Sequence, residues 1–268
     1  MLDGLRMAVT TFTVFPLRPG RVDRATARKA IAWAPLVGAV LGLVVATALF
    51  AGRLLFANEP GPMLPAALAV ATLALLTRGL HLDGLADTVD GLASHAPPER
   101  ALAIMRSPEI GPLGVVAVVL VLLVQVNALT VCVQNHRGTE SVLLAVLTGR
   151  LAVLWSCLRG TPAARSTGLG ALVAGTVRRP LALLWTLAVG VEAFAYGRLD
   201  PEAGTLRGGL RALIALFAAL GIVWVLRRHA VRRLGGITGD VLGAAVEIAQ
   251  VTVLVVMTVQ FSPSPAAG

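Results

Sequence analysis

Long apolar runs recur along the chain, and they constrain its fold more than any other feature. Each approaches or exceeds the ~20 residues that an α-helix needs to cross a bilayer. The seven runs cover residues 31–56, 63–80, 113–133, 142–158, 181–196, 210–226 and 241–261. Because backbone polar groups in a bilayer must be paired within the protein, such runs form helices. The pattern predicts an all-α protein, a polytopic membrane helical bundle of about seven transmembrane helices.

The composition agrees with a membrane protein that has a single integral membrane domain over residues 1–268. Hydrophobic residues make up 56% of the chain and charged residues only 14%, against about 25% in soluble domains. Residues 1–30 are basic and amphipathic, and we expect them to lie in the cytoplasm or at the membrane interface. Residues 262–268 are expected to form a disordered tail.

The basic residues predict an orientation. With the N-terminus in the cytoplasm, the cytoplasmic segments hold 17 Lys or Arg residues and the opposite segments five, with Arg150 left inside a span. Such an asymmetry is typical of a protein of the cytoplasmic (inner) membrane. The net charge of +9 is therefore read as a membrane-orientation signal. We expect a lipid bilayer and no nucleic acid as partner, because no basic and aromatic stripe accompanies the arginines.

The most unusual segment is an acidic one, residues 78–94, which borders an apolar run. It contains Asp83, Asp87 and Asp90, whose spacing places them within about 40° on one helical face. Three carboxylates repel each other, and a hard divalent cation such as Mg²⁺ is the simplest compensation. The alternative is a solvated helix face beside the membrane. His81 is a candidate catalytic base, a partner of the aspartates or a packed side chain.

A second acidic pattern is GGITGDVLGAAVE, residues 235–247. Asp240 and Glu247 share a helical face to within about 20°, and Asp240 is a further candidate metal ligand. The preceding loop, with Gly236 and Gly239, exposes amides that suit phosphate oxygens at a helix N-terminus. The alternative is a glycine-rich turn, with Asp240 as a helix cap and Glu247 as a buried structural acid.

Three arginines on the predicted cytoplasmic side are candidate phosphate ligands: Arg100, Arg106 and Arg165. A guanidinium can bind phosphate oxygens with two parallel hydrogen bonds. Their alternative role is to set the membrane orientation. Arg150 needs a polar partner or a path to the membrane interface because it lies within a span. Gln125 is expected to form a hydrogen bond between helices.

Taken together, these motifs resemble those of the cobalamin synthase family, the adenosylcobinamide-GDP ribazoletransferases. The resemblance rests on HLDGLADTVDG, on Arg106 followed by Gly111 and Gly114, on ARSTGLG and on GGITGDVLGAAVE, in this order. It begins at the N-terminal TTFTVFPLRP and runs through nearly the whole chain. Ser107 departs from it, since an acidic residue often follows the Met-Arg pair in the family, and so does Gly149, where Ser is common.

The resemblance implies a reaction. A member of this family transfers the adenosylcobinamide phosphoryl group from its GDP-activated form to α-ribazole or α-ribazole 5′-phosphate. It releases GMP and requires Mg²⁺. Carried over to this sequence, it implies a site with five catalytic residues, His81, Asp83, Asp87, Asp90 and Asp240, of which the four aspartates also bind Mg²⁺. It further implies three substrate ligands, Arg106, Arg165 and Glu247. Whether the protein forms a homo-oligomer or associates with other cobalamin-assembly enzymes stays open.

Two other classes compete with this interpretation. A CDP-alcohol phosphotransferase also combines membrane-boundary aspartates with Mg²⁺, but its motif has Arg at the position of Asp87. A divalent-cation transporter would place its acidic residues near the middle of the bilayer. Here we expect them at one membrane face.

Overall fold

The structure, a computed structural model, describes residues 2–17, 20–56, 61–198 and 205–260. The described residues form helices joined by short loops, with two isolated β-bridges. The helices are α1 (Leu2–Phe12), α2 (Arg24–Leu55), α3 (Met63–Leu76), α4 (Leu80–Ala93), α5 (Pro98–Ile104), α6 (Pro112–Gln134), α7 (Gly138–Ser156), α8 (Leu169–Val173), α9 (Arg179–Gly197), α10 (Thr205–Leu234) and α11 (Gly239–Met257). The expected disordered tail lies outside the described residues.

Six of these helices are long and apolar enough to cross a membrane: α2, α6, α7, α9, α10 and α11. The short helices α3 and α4 reach the required length and hydropathy only when they are taken together, which gives up to seven spans. The prediction of an all-helical membrane bundle with about seven spans is confirmed. The side of the membrane on which the N-terminus lies stays a prediction.

The predicted second span, residues 63–80, is wrong in one respect. Helix α3 ends at Leu76, and α4 begins at Leu80 with its axis turned by 86°. Between them Arg78 and Gly79 have φ angles of 56° and 66°, and residues in this left-handed region end a helix. The Arg78 guanidinium donates a hydrogen bond to the Thr10 carbonyl at 3.0 Å. The acidic helix therefore starts in a new direction and does not extend α3 in a straight line.

The N-terminal segment packs closely against the bundle. A Cβ added to Gly4 would lie 2.5 Å from the Lys29 Cβ, so α1 and the first turns of α2 are in direct contact. Helix α2 begins earlier than the predicted span because Asp23 caps it, its Oδ1 accepting from the Thr26 amide at 2.7 Å. Arg24 donates to carbonyls at the end of α8. The N-terminal segment, the start of α2 and α8 therefore meet at one end of the bundle.

Helices α7 and α11 form the centre of the bundle and pack against each other over much of their length. Gly149 allows the close approach, since a Cβ there would lie 3.0 Å from the Gln250 Cγ. Arg150 is fully buried, and its Nη1 donates to the Gln250 Oε1 at 3.4 Å. The expected polar partner of this intramembrane arginine is therefore found on α11.

Candidate functional site

The site is organised around the point where α4 crosses α11. A Cβ on Gly84 would lie 2.8 Å from the Asp240 carbonyl oxygen and 3.2 Å from the Gly243 Cα. Only two glycines allow backbones to come this close. The crossing brings Asp83 and Asp87, one on each side of Gly84 along α4, next to Asp240 at the start of α11. The two predicted acidic patterns therefore form one site.

The carboxylates of Asp83 and Asp87 have no hydrogen-bond or ion-pair partner among the described side chains and backbone groups. Partial burial raises the pKa of Asp87 to about 6, and the negative charges of Asp83, Asp240 and Asp90 act in the same direction. The site therefore carries excess negative charge that its own residues do not balance.

Asp90 differs from the other two aspartates of α4. Its Oδ2 accepts a hydrogen bond from the Gly111 amide and its Oδ1 one from the Gly114 amide, each at 2.8 Å. These amides belong to the first turn of α6, where no intrahelical acceptor is available. Asp90 was predicted to be a metal ligand and a catalytic residue. Its contacts give it a structural role, which is to hold the N-terminus of α6 against α4, and its role as a metal ligand stays a prediction.

The remaining donor set fits a magnesium ion by its chemistry. Asp83, Asp87 and Asp240 offer oxygen ligands only, which hard divalent cations prefer. Within the described ranges, however, no three His, Cys, Asp or Glu side chains stand close enough to hold a metal ion jointly. The Mg²⁺ site therefore stays a prediction.

Arg165 is the basic residue of the site. Its Nη1 lies 3.3 Å from the Asp240 Oδ2, and its Nη2 donates to the Leu102 carbonyl of α5 at 2.7 Å. Burial lowers the pKa of the guanidinium, and the charge of Asp240 opposes that change. Arg165 therefore lies at the acidic site, and its role as a substrate ligand stays a prediction.

The loop that carries Arg165 is fixed to the loop before α11. The Ala164 amide donates to the Ile237 carbonyl, and the Ile237 amide donates to the Pro162 carbonyl, each at 3.0 Å. Gly236 is needed for this contact, because a Cβ there would lie 2.5 Å from the Ala164 nitrogen. Gly236 was predicted to bind substrate, but its surroundings show that it packs one loop against the other.

A groove of about 560 Å³ lies on the other side of Arg165, between α5 and the loop after residue 163. Arg106 lines it together with Arg165, so two of the three predicted phosphate ligands share one surface. Arg100 is exposed on α5 and lines neither this groove nor the cavity described next. Its role as a substrate ligand stays a prediction.

A cavity of about 250 Å³ lies beside the acidic crossing. Its polar lining includes Asp83, Asp240 and Arg165, and the backbone of Gly239 contributes the start of α11. The remaining walls are largely apolar and come from α1, α2, α7, α8 and α11, with the side chains of Phe12, Ile31, Val153, Leu169, Leu242 and Val246. A group bound here would meet charge on one side and apolar surface on the other.

His81 lies in the wall of this cavity. Its ring stacks on Phe12 with 6.4 Å between centroids, and only 4% of its surface is exposed. Burial, together with the charge of Arg150, lowers the pKa of His81 well below its usual value. The imidazole is therefore neutral, and its Nε2 has no hydrogen-bond partner among the described residues.

Glu247 lies apart from the cavity, although it shares a helical face with Asp240. Its Oε2 accepts from the Gln125 Nε2 at 2.8 Å, and its Oε1 lies 3.5 Å from the Gln250 Nε2. The expected interhelical hydrogen bond of Gln125 is thus confirmed. Glu247 was predicted to bind substrate, but it is buried in a polar cluster that also includes Arg150 through Gln250.

Sequence reasoning missed two residues of the site. Thr238 caps α11, its Oγ1 accepting from the Val241 amide at 3.2 Å, and it lines the cavity. A Thr directly before Gly-Asp at the start of an apolar helix is the usual capping signal. Phe12 reaches the cavity from α1, and no local pattern predicts that contact.

Comparison with known proteins identifies the family. The family described as "Cobalamin-5-phosphate synthase" matches residues 4–258. The chain belongs to this family. A protein of Frankia casuarinae named adenosylcobinamide-GDP ribazoletransferase is 47% identical, over 99% of this chain and 97% of its own length. A Nocardioides protein of the same name is 45% identical, over 93% and 95%.

A more distant relative carries the same name. The Corynebacterium efficiens adenosylcobinamide-GDP ribazoletransferase is 36% identical, over 95% of this chain and 90% of its own length. No solved structure matches the chain. Membership of the cobalamin synthase family favours a membrane transferase over the alcohol phosphotransferase and transporter alternatives.

Proposed function

We propose that this protein transfers the adenosylcobinamide phosphoryl group from adenosylcobinamide-GDP to α-ribazole or α-ribazole 5′-phosphate and releases GMP. The observation that carries the proposal is the crossing of α4 and α11 at Gly84. It gathers unpaired carboxylates beside Arg165 and against a partly apolar cavity. A pyrophosphate linked to large organic groups needs such a combination of charge and apolar surface. The names of the relatives support the same reaction.

The arginines and the aspartates of the site would hold the pyrophosphate in two different ways. Arg165 and Arg106, which line one groove, bind phosphate oxygens directly. The carboxylates of Asp83, Asp87 and Asp240 would repel the same oxygens, so they must act through a cation, and they would be its ligands. Bound Mg²⁺ would neutralise the pyrophosphate and stabilise the leaving phosphate.

The reaction exchanges one phosphorus–oxygen bond for another. The ribazole hydroxyl oxygen bonds to the phosphorus next to adenosylcobinamide, the bond to the GMP oxygen breaks, and the hydroxyl proton passes to a base on the protein. A carboxylate of the site that does not bind the cation, or the neutral imidazole of His81, would accept that proton.

We further propose that the acidic end of the bundle faces the cytoplasm and that the protein lies in the cytoplasmic membrane. Nucleotide substrates are soluble and are found on that side. The arginine distribution along the sequence supports this orientation.

A direct assay tests the proposal. Purified protein in lipid vesicles is supplied with adenosylcobinamide-GDP, α-ribazole and Mg²⁺, and the release of GMP is followed by chromatography. We expect GMP and the joined corrinoid in equal amounts. GMP formation that does not depend on α-ribazole would indicate hydrolysis, and no GMP from folded protein would refute the proposed reaction.

A further inference from the structure

A second polar cavity, of about 430 Å³, lies outside the candidate active site. It is formed by the loop after α7, the first residue of α9 and the last turns of α10. None of its lining residues lines the cavity at the acidic crossing. Its basic lining consists of Arg159, Arg179, Arg227, Arg228 and Arg232. We refer to it as the arginine pocket.

Among the described residues, none that lines the arginine pocket is acidic. In the part of the chain that the structure describes, none of its five guanidinium groups forms an ion pair with a carboxylate. Arg227 has only neutral partners, the Thr161 hydroxyl at 3.2 Å and the Trp155 carbonyl at 3.4 Å. Like charges brought together without an acidic partner repel each other. An anionic ligand would remove this repulsion.

The surroundings of the pocket indicate where the ligand comes from. Arg227 directly follows the apolar run of α10, and Arg179 directly precedes that of α9. On these two helices, next to the pocket, large apolar side chains are exposed: Leu183, Leu184, Leu187, Ile222, Trp224 and Val225. The pocket therefore lies at the boundary between a basic end and a lipid-facing apolar surface.

Trp224 marks the same boundary. It lines the pocket, and the Arg228 guanidinium lies 5.3 Å from the centroid of its ring. Tryptophan is enriched at the level of lipid headgroups, and a guanidinium held over its face stays available to phosphate oxygens on its outer side.

We propose that the arginine pocket binds the phosphodiester headgroup of an anionic phospholipid. The guanidinium groups supply paired donors to the phosphate oxygens. The exposed apolar surfaces of α9 and α10 lie where the acyl chains would run. Basic pockets between membrane helices bind anionic headgroups in this way. A nucleotide phosphate offers similar oxygens but has no acyl chain to match the apolar surface.

Lipid retention measured by native mass spectrometry tests the proposal. The full-length protein is reconstituted into nanodiscs of phosphatidylcholine with a minority of phosphatidylglycerol. It is then released from the nanodiscs in the mass spectrometer, and the mass of the protein with its bound lipids is measured. The test variant is Arg228→Gln/Arg232→Gln, which removes two exposed side chains of the pocket. The matched control is Arg28→Gln/Arg178→Gln, which removes two exposed arginines outside the pocket.

We expect the wild type and the control to retain phosphatidylglycerol in preference to phosphatidylcholine. The test variant should lose this preference by roughly 25-fold, at about fivefold per arginine near the membrane surface. Equal retention in the test and control variants would overturn the proposal. So would displacement of the lipid by millimolar GMP, because the pocket would then be a nucleotide site.

Folding is checked separately. The melting temperatures of the two double variants are compared in phosphatidylcholine alone, where the headgroup contribution is absent. If the test variant melts early there, Arg228→Gln is measured by itself. An unchanged preference for phosphatidylglycerol in that single variant would also refute the assignment.

Discussion

Gly84 and Gly243 lie against each other where α4 crosses α11, with 3.2 Å between the position of a Cβ on Gly84 and the Gly243 Cα. This contact sets the distance between the aspartates of α4 and Asp240. Any side chain at Gly84 must push the two helices apart. The position of the carboxylates therefore depends on Gly84, a residue that has no side chain.

The first prediction follows from this contact. Gly84→Ala should destabilise the protein by about 1–3 kcal/mol, the usual cost of overpacking, and should reduce GMP release by at least about tenfold because the two acidic faces separate. Gly221→Ala is the control, since a Cβ there meets nothing within 4 Å. Equal activity of the two variants would show that the close crossing does not matter.

Turnover should be most sensitive to substitution of the three aspartates at the crossing of α4 and α11. Asp83→Asn, Asp87→Asn and Asp240→Asn should each reduce turnover by roughly 10²–10³-fold, as expected for the loss of one group that stabilises the developing charge. The protein level in the membrane should not change. Glu109→Gln, at an exposed position outside the site, is the control.

Asp90→Asn should behave differently from this set. It leaves one amide of α6 without its acceptor, so the loss should appear mainly as about 1 kcal/mol of stability with a smaller effect on turnover. A thermal melt and the GMP assay separate these outcomes. A turnover loss at Asp90 as large as that at Asp87, without a change in the melting temperature, would restore Asp90 as a metal ligand.

Much of this arrangement can be predicted from the sequence, because it depends on local periodicity. The spacing of Asp83, Asp87 and Asp90 predicts one helix, and α4 contains all three. The break at Arg78 was not predicted, because apolar residues resume at Leu80, and Gly79 was the one local signal of a helix end. The hydrogen-bond partners of Asp90 could not be predicted either. Gly111 and Gly114 follow it by more than 20 residues and belong to another helix.

Glu247 shows a further limit of periodicity. Its spacing from Asp240 correctly indicates a shared helical face. A helix rises 1.5 Å per residue, so Glu247 lies roughly 10 Å further along α11. That distance moves it from the cavity at the helix terminus into the buried centre of the bundle. Helical spacing predicts which side of the helix a residue faces. It does not predict whether the residue lies at the level of the site along the helix axis.

The magnesium proposal predicts a pH dependence. The pKa of Asp87 is raised from 3.8 to about 6 in the folded chain, so its proton is bound more tightly in the folded than in the unfolded state. Without metal, the folded state therefore loses stability as the pH rises from about 4 through 6. Because Mg²⁺ binds the ionised form, it should raise the melting temperature more at about pH 8 than at about pH 5.

The matching variant for this measurement is Asp87→Asn. Its melting temperature should vary less with pH over the same interval, and Mg²⁺ should raise it less at about pH 8 than it raises that of the wild type. Glu109→Gln should behave as the wild type does. A Mg²⁺ effect that is the same at both pH values in the wild type would contradict a site that contains Asp87.

The buried polar cluster offers a test of the role of Glu247. Glu247→Gln keeps an oxygen that can accept from Gln125, so KM should stay within about twofold of the wild type. It also removes the carboxylate charge near fully buried Arg150, so the melting temperature should fall. Glu247→Ala leaves that amide unpaired in the bundle interior and should cost about 1–3 kcal/mol. A KM for either substrate that rises tenfold or more in Glu247→Gln would instead support direct substrate binding.

The orientation in the membrane can be measured with introduced thiols. Cys132 and Cys157 are both free and buried, so the wild type should react poorly with a membrane-impermeant maleimide. Ser107 is exposed near the acidic end, and Gln260 is exposed beyond the far end of α11. If the acidic end faces the cytoplasm, as we propose from the arginine distribution, Gln260→Cys should be labelled in intact cells. Ser107→Cys should be labelled only after the membrane is opened or inverted. The reverse pattern would place the acidic site outside the cytoplasm and contradict the proposed access of cytoplasmic nucleotides.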